Sequence, residues 1–185
     1  PELGVNFSKD SIESAYCFIH QKLRVYEFSN NPTQRDDIEY AIAQYVEGMN
    51  PANIGRFLCA KTQLIPCTAA AAMELIKETG IDVYGKEVVI VGHSQIVGKP
   101  LSILLLEKLA TVTVCHIGTS EAGKLEEHVR QAEILIVAVG KAGLIKGEWV
   151  KEGAIVVDVG INRINGAIVG DVVFEAAAKR ASWIT

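Results

Sequence analysis

Four short runs of aliphatic and β-branched residues recur through the second half of the chain, and they constrain its fold more than any other feature. Each run consists mainly of β-branched or aliphatic residues in succession, which indicates strands that are buried on both faces. Buried strands that alternate with helices form a parallel sheet with right-handed crossovers. The predicted strands are 87–91, 111–115, 134–139 and 154–159, with the sequences EVVIV, TVTVC, ILIVAV and AIVVDV.

Helical segments separate these runs and complete the prediction of an α/β fold, a Rossmann-like doubly wound parallel sheet. Thr68 is expected to cap the first helix because its hydroxyl can accept a backbone N–H, and Gly80 is suited to end it. The predicted helices are 69–79, 98–109 and 121–131. Ligands of such sheets bind beyond the carboxyl ends of the strands. Those ends carry Gly92-His93-Ser94, Cys115-His116, Val139-Gly140-Lys141 and Asp158-Val159-Gly160.

Residues 1–67 differ in composition and pattern from the rest, because they are more polar and lack the regular alternation of strand and helix patterns. Helices are predicted over 11–28, where apolar residues recur on a common stripe, and over 35–45. The change in pattern divides the 185 residues into a first domain, 1–67, and a second domain, 68–185.

Charge and cysteine usage narrow the class of protein. The formal net charge is −4 and no basic face is evident, which argues against nucleic acid as a partner. No apolar run approaches the roughly 18 residues of a membrane span, and no signal peptide opens the chain, so no membrane association is expected. The cysteines lack metal-ligand spacing and are predicted to be reduced thiols of a cytoplasmic protein without a metal site. They are Cys17, Cys59, Cys67 and Cys115, of which Cys67 is expected to be a small packed residue.

The stretch VGHSQIVGKP, residues 91–100, departs from the usual dinucleotide-binding spacing of Gly-x-Gly-x-x-Gly. Its own spacing is Gly92-x-Ser94-x-x-x-Gly98. A helix after such a turn directs free N–H groups and the positive end of its dipole toward the space above the strand, where a pyrophosphate fits. Ser94 could donate a hydroxyl hydrogen bond to a phosphate. The alternative is a plain strand–turn–helix whose glycines serve packing alone.

The end of the second predicted strand bears on the choice between NAD and NADP. An acidic residue there would bind the adenine ribose of NAD, but the strand ends with Val114-Cys115-His116. His93, His116 and Thr119 could instead meet a ribose phosphate, although no arginine is near. NADP is therefore the predicted cofactor, and NAD stays an open alternative.

Several distinctive motifs follow one another from about residue 66 to residue 185. They are PCTAAAAMEL, VIVGHSQIVGKPLSILLL, ATVTVCH, ILIVAVGKAGLIKGEWVKEGAIVVDVGIN and VGDVVF. Together they resemble the methylenetetrahydrofolate dehydrogenase/methenyltetrahydrofolate cyclohydrolase family. The resemblance implies an NAD(P)-binding domain with the phosphates near His93 and the nicotinamide near Val139. The predicted cofactor-binding residues are Gly92, His93, Ser94, Ile96, Gly98, His116, Thr119, Val139, Gly140, Gly160, Ile161 and Asn162.

Fragments of residues 1–65 resemble the small α/β folate-binding, catalytic domain of that family in a reduced form. Tyr16 matches the family's tyrosine on its catalytic helix, and His20 occupies the position of the lysine four residues later. Glu47 occupies the place of an aspartate in VEGMNPANIGRF. These three are the predicted catalytic residues. Tyr16 is expected to stack on a pteridine, His20 to act as an acid or base, and Glu47 to bind a pteridine nitrogen. The alternatives are that Tyr16 is a core aromatic residue, that His20 faces solvent and that Glu47 is a surface charge.

The resemblance implies a homodimer that oxidises methylenetetrahydrofolate to methenyltetrahydrofolate with NADP. Because the family's lysine is replaced, cyclohydrolase activity toward formyltetrahydrofolate is expected to be weak. Missing family segments suggest either a diverged, reduced member or an incomplete version of a longer chain. Two other functions stay open: a non-catalytic nucleotide- or partner-binding remnant, and a two-domain dehydrogenase of the shikimate type. Asp158, at the end of a buried strand, is expected to hydrogen-bond to loop backbone.

Overall fold

The computed structural model describes residues 48–60 and 64–185. The chain divides into two compact units, Pro1–Cys67 and Thr68–Thr185. Tyr16, His20 and Glu47 lie outside the described residues, as do the helices predicted over 11–28 and 35–45.

The described part of the first unit is organised around one short helix, α1 (Pro51–Leu58). Asn50 caps this helix, because its side-chain oxygen accepts a hydrogen bond from the Asn53 backbone N–H at 2.9 Å. The buried Asn53 side chain donates in turn to the carbonyl oxygens of Gly48 at 2.7 Å and Leu64 at 2.9 Å. One amide therefore ties the residues before the helix to those that follow it.

The second unit is built on a five-stranded parallel sheet, whose strands are β1 (Glu87–Val91), β2 (Thr111–Cys115), β3 (Ile134–Val137), β4 (Ile155–Asp158) and, after a separate hairpin of β5 (Asn162–Ile164) and β6 (Ala167–Val169), β7 (Trp183–Ile184). Their order in the sheet is β2-β1-β3-β4-β7. The chain passes from β1 to β2 on one side and then crosses back to β3 on the other, so the switch point lies between β1 and β3. This architecture confirms the predicted Rossmann-like fold.

The middle strands are buried because their side chains are apolar, apart from Glu87 at the start of β1 and Asp158 at the end of β4. Ile90, Ile134, Leu135 and Ile136 have no accessible surface. Fully burying one such side chain contributes about 1.5–3 kcal/mol. Within residues 48–60 and 64–185, no helix is long and apolar enough to cross a bilayer.

The first predicted helix of the second unit begins earlier than expected. It starts at Cys67, so Thr68 lies within its first turn and the prediction that Thr68 is the N-cap is wrong. Pro66, directly before the helix, has no N–H to leave without a partner. Gly80 adopts a left-handed φ of +74° after the last turn, and its N–H donates to the Lys77 carbonyl oxygen, as expected of a helix-ending glycine.

The helix predicted over 121–131 is two helices, so that prediction is wrong in detail. Gly123 has a φ of +68° and lets the chain leave the first helix. The first of these helices begins at Ile117, before the predicted start at residue 121. His116 caps it, because the imidazole accepts a hydrogen bond from the backbone N–H of Gly118. The helices of this unit are α2 (Cys67–Glu78), α3 (Gly98–Glu107), α4 (Ile117–Glu121), α5 (Leu125–Gln131) and α6 (Phe174–Ala177).

A small antiparallel hairpin follows β4 and was not predicted. Its strands are β5 (Asn162–Ile164) and β6 (Ala167–Val169). Asn165 (φ +51°) and Gly166 (φ +83°) form the turn, and two positive φ angles are typical of the type I′ turn that suits a two-residue hairpin. The hairpin carries Asn162 beyond the carboxyl end of β4.

Glu133 joins two strands at the amino edge of the sheet. Its carboxylate accepts hydrogen bonds from the Glu87 backbone N–H at 3.0 Å and from Lys86 Nζ at 2.9 Å. These two bonds, the backbone bond first, lower the pKa of Glu133. The arrangement lies at the edge opposite the carboxyl ends of the strands.

Candidate functional site

The turn after β1 is compatible only with glycine at position 92. Gly92 has a φ of +123°, and an added Cβ would lie 2.3 Å from the carbonyl oxygen of Ala138, just beyond β3. The Gly92 N–H donates to the Cys115 carbonyl oxygen at 2.9 Å. The turn is therefore pressed between the ends of β2 and β3, at the switch point of the sheet.

Gly98 brings the start of α3 against this turn. An added Cβ would lie 2.0 Å from the Gly92 carbonyl oxygen and 3.0 Å from the His93 Cα, so only glycine permits the approach. Val97 is the N-cap and offers no side-chain hydrogen bond. The helix therefore presents its amino end above the sheet without a side-chain cap, in the arrangement that binds phosphate groups.

Ser94 stabilises the turn and stays available to a ligand. Its hydroxyl oxygen accepts a hydrogen bond from the Val97 N–H at 3.1 Å, which leaves the hydroxyl hydrogen free to donate. Ser94 and Ile96 are both exposed, and half of the Ile96 surface is accessible. The prediction that Ser94 donates to a phosphate is compatible with this geometry.

Two histidines meet where β1 and β2 end. The ring centroids of His93 and His116 are 5.4 Å apart, and both residues are exposed. His116 Nδ1 accepts from the Gly118 N–H at 3.2 Å, while the His116 N–H donates to the Thr119 hydroxyl oxygen at 3.2 Å. His116 Nδ1 is therefore an acceptor, so in the neutral ring the proton lies on Nε2.

Beyond β3, the chain is held by a carboxylate that was not among the predicted site residues. Asp171 is buried, and its Oδ2 accepts from the N–H groups of Val139 at 2.7 Å and Gly140 at 2.8 Å. Its Oδ1 accepts from Asn162 Nδ2 at 2.8 Å. An added Cβ at Gly160 would lie 2.2 Å from the Asp171 Cγ, so glycine there makes room for the carboxylate. The aspartate lies in the motif VGDVVF, which by itself assigns it no partner.

Asp158 forms the matching half of this arrangement. Its carboxylate accepts from the backbone N–H groups of Gly160 at 2.9 Å, Asp171 at 3.2 Å and Val172 at 2.8 Å. The predicted role of Asp158 in holding loop backbone is confirmed. Cys67, in contrast, is exposed at the first position of α2, so the prediction that it is a small packed residue is wrong.

The predicted cofactor-binding residues fall into two groups along the carboxyl edge of the second unit. One group follows β1 and β2, and the other follows β3 and β4. The first comprises Gly92, His93, Ser94, Ile96, Gly98, His116 and Thr119, and the second comprises Val139, Gly140, Gly160, Ile161 and Asn162. Their separation on the two sides of the switch point suits an extended ligand with a central pyrophosphate.

Residues 66–185 match the family model described as tetrahydrofolate dehydrogenase/cyclohydrolase, NAD(P)-binding domain. The bifunctional protein FolD of Bacillus licheniformis is 52% identical in an alignment that covers 99% of this chain and 69% of that protein. The FolD protein of Bacillus subtilis is 50% identical over 141 residues, which cover 76% of this chain and 49% of that protein. The chain thus spans between half and about two thirds of the length of these relatives.

Solved structures give the same result. The FolD enzyme of Campylobacter jejuni superposes with a TM-score of 0.73 at 44% identity, covering 78% of this chain and 53% of that one. The Trypanosoma brucei FolD enzyme, solved with NADP cofactor and an inhibitor, gives a TM-score of 0.74 at 31% identity, covering 98% of this chain and 66% of that one. The chain therefore belongs to the tetrahydrofolate dehydrogenase/cyclohydrolase family and carries the family's NAD(P)-binding domain.

Proposed function

We propose that this chain binds NADP across the switch point of its sheet and uses it to oxidise methylenetetrahydrofolate to methenyltetrahydrofolate. The observation that carries the proposal is the contact between Gly98 and Gly92, which brings the uncapped start of α3 to the space above β1. A pyrophosphate at that position can accept a hydrogen bond from the Gly98 N–H and lies at the positive end of the helix dipole.

Each half of the nucleotide has its own group of residues. The adenosine half extends over β1 and β2 toward His93 and His116, and the nicotinamide half extends over β3 and β4 toward Val139 and Asn162. When bound, NADP accepts a hydride from the methylene carbon of the folate. The protein's part is to hold the ring of the cofactor against that carbon and to keep water away.

A preference for NADP over NAD is supported by the end of β2. No carboxylate occurs there to repel a 2′-phosphate, and the paired rings of His93 and His116 offer N–H donors beside Thr119. We expect the Kd for NADP to be lower than the Kd for NAD. An affinity for NAD tenfold above that for NADP, about 1.4 kcal/mol, would remove this part of the proposal.

The folate site is proposed for residues 1–67, with Tyr16, His20 and Glu47 as its catalytic residues. Because histidine replaces the family's lysine at position 20, we propose that dehydrogenase activity exceeds cyclohydrolase activity by at least about a hundredfold, the lower end of a general acid–base contribution. The FolD relatives are named bifunctional, so this imbalance would distinguish the chain from them.

A homodimer in the cytoplasm completes the proposal. β2 is an edge strand, exposed at Thr111, half-buried over 112–114 and buried at Cys115, and its outer edge offers unpaired backbone groups to a second copy. Among the described residues, Cys59, Cys67 and Cys115 are free thiols, as is usual in a reducing compartment. Light scattering tests the association, because the chain alone has a mass of 20.0 kDa. A 20 kDa species alone at micromolar concentration would contradict the dimer.

The activity is tested by following NADPH formation from methylenetetrahydrofolate and, separately, the decay of methenyltetrahydrofolate absorbance. We expect NADPH to form and the methenyl compound to hydrolyse at least about a hundredfold more slowly. NADP binding without either reaction would support the alternative, a non-catalytic nucleotide-binding member of the family. The parent and a His20→Lys variant are compared, and faster hydrolysis in the variant would support the role given to position 20.

A further inference from the structure

The buried carboxylate of Asp171 fixes the orientation of the polar groups around it. Its two oxygens accept three hydrogen bonds, from the N–H groups of Val139 and Gly140 and from the amide of Asn162. The residue has no accessible surface, so it cannot touch a ligand. Any influence on a ligand must act through the groups that it holds.

The amide of Asn162 has only one orientation that its neighbours accept. Its Nδ2 donates to Asp171 Oδ1 at 2.8 Å and, more weakly, to the Val169 carbonyl oxygen at 3.3 Å. Both partners are acceptors without a hydrogen, so an inverted amide would place oxygen against oxygen. The carboxylate of Asp171 therefore determines which end of the amide faces inward.

The oxygen of the same amide faces outward. Among the described residues, no donor reaches Asn162 Oδ1, and no buried side-chain oxygen or nitrogen is left without a partner. Asn162 is half-buried, so its Oδ1 must be open to solvent. The surface beyond β4 thus presents a hydrogen-bond acceptor.

The first two exposed residues after β3 direct their N–H groups away from this surface. Val139 and Gly140 are exposed, yet the N–H group of each points to the buried carboxylate. Asp171 therefore accepts from two backbone N–H groups, which can no longer donate to a ligand, and it orients Asn162 so that the amide oxygen faces outward. The surface formed by Val139, Gly140 and Asn162 is selective for a group that donates a hydrogen bond.

We propose that Asp171 is a positioning residue that orients Asn162, so that this surface selects a ligand ring bearing an N–H donor, such as a carboxamide. The inference rests on the proposed function, in which one half of a dinucleotide extends over β3 and β4. A ring with a methyl group in place of the NH2 leaves the Asn162 oxygen without a partner, which costs binding free energy.

Three ligands separate this effect from nucleotide binding in general. NADP carries the carboxamide, its 3-acetylpyridine analogue has a methyl group in place of the NH2, and 2′-phospho-ADP-ribose lacks the ring. All three share the pyrophosphate and the adenosine half. Calorimetric titration of the full chain should give a Kd for NADP about tenfold lower than the Kd for the acetylpyridine analogue.

The decisive variant is Asp171→Asn. Its side-chain oxygen must face the N–H groups of Val139 and Gly140, so its NH2 faces Asn162. The Asn162 amide then inverts and turns its own NH2 outward, where it donates to the carbonyl oxygen that both rings possess. We expect the tenfold preference for NADP to disappear, while the Kd for 2′-phospho-ADP-ribose stays unchanged.

Two further variants complete the test. Asn162→Ala removes the acceptor and should also abolish the preference, whereas Asn165→Gly, at the turn of the same hairpin, should retain it. An unchanged preference in Asp171→Asn that still binds 2′-phospho-ADP-ribose would overturn the inference. If Asp171→Asn fails to bind that ligand because it does not fold, Asn162→Ala decides in the same way. A parent chain that binds none of the three ligands would instead refute the proposed function.

Discussion

Replacing Gly98 by alanine tests the contact on which the nucleotide site depends. The added Cβ would lie 2.0 Å from the Gly92 carbonyl oxygen, whereas real contacts of this kind are not shorter than 3.0 Å. The start of α3 must therefore move by about 1 Å relative to the turn. Both partners are backbone atoms, so no side-chain rotation can relieve the clash.

The displacement has two measurable consequences. Overpacking of this kind costs about 1–3 kcal/mol of unfolding free energy, which for a chain of this size lowers the Tm by roughly 2–12 °C. A 1 Å shift lengthens a hydrogen bond from about 2.9 Å to about 3.9 Å, beyond its useful range. We therefore expect the Kd for NADP to rise at least about tenfold, or 1.4 kcal/mol.

Thermal unfolding and calorimetric titration with NADP measure both consequences on the same sample. Gly55→Ala is the matched control, because it adds the same methyl group within α1, where no atom lies within 4 Å of the new Cβ. In a helix interior alanine is favoured over glycine by about 1 kcal/mol, so the control should be at least as stable as the parent. A Gly98→Ala variant with parental Tm and parental affinity would refute the reasoning.

Three other perturbations have outcomes that the structure determines. Glu133→Gln should lower the unfolding free energy at neutral pH, because the Glu87 N–H and the Lys86 ammonium group lower the pKa of this carboxylate in the folded state alone. The difference in unfolding free energy between parent and variant should disappear as the pH falls below 4.5 and the carboxylate takes up a proton. Burial raises the pKa of the Cys115 thiol, so a thiol reagent should label Cys59 and Cys67 before Cys115 in peptide mass analysis. Asp158→Ala leaves three N–H groups without their acceptor and should cost at least about 2 kcal/mol in denaturant unfolding.

The central strands could be predicted because burial on both faces leaves an unbroken apolar run. The strands predicted at 87–91 and 111–115 agree with the structure at both ends, but 111–115 is a partly exposed edge strand, so the prediction that it is buried on both faces is wrong. The run at 134–139 extends two residues past its strand, because the N–H of Val139 bonds to a carboxylate instead of a neighbouring strand. An apolar run therefore locates a strand but does not show where its ladder stops.

The long-range contacts of the site could not be predicted in the same way. Asp171 follows the strands it stabilises by many residues, and only the fold brings it to Val139 and Gly140. His116 caps a short helix that ends before Gly123, where the positive φ turns the chain. The apolar pattern of 121–131 gave no sign of this earlier helix. Spacing revealed the turn at Gly92, because steric requirements on a single turn are local.

A crystal structure of the full chain with NADP tests the central claim most directly. We predict that the pyrophosphate lies within hydrogen-bond distance of the Gly98 N–H, because the Lys99 N–H donates to the Ser94 carbonyl oxygen and Pro100 has no N–H. The nicotinamide ring should lie beside Val139 and Asn162, with the adenosine half toward His93 and His116. A nucleotide bound elsewhere on the chain, or no bound nucleotide at a saturating concentration of NADP, would contradict the account.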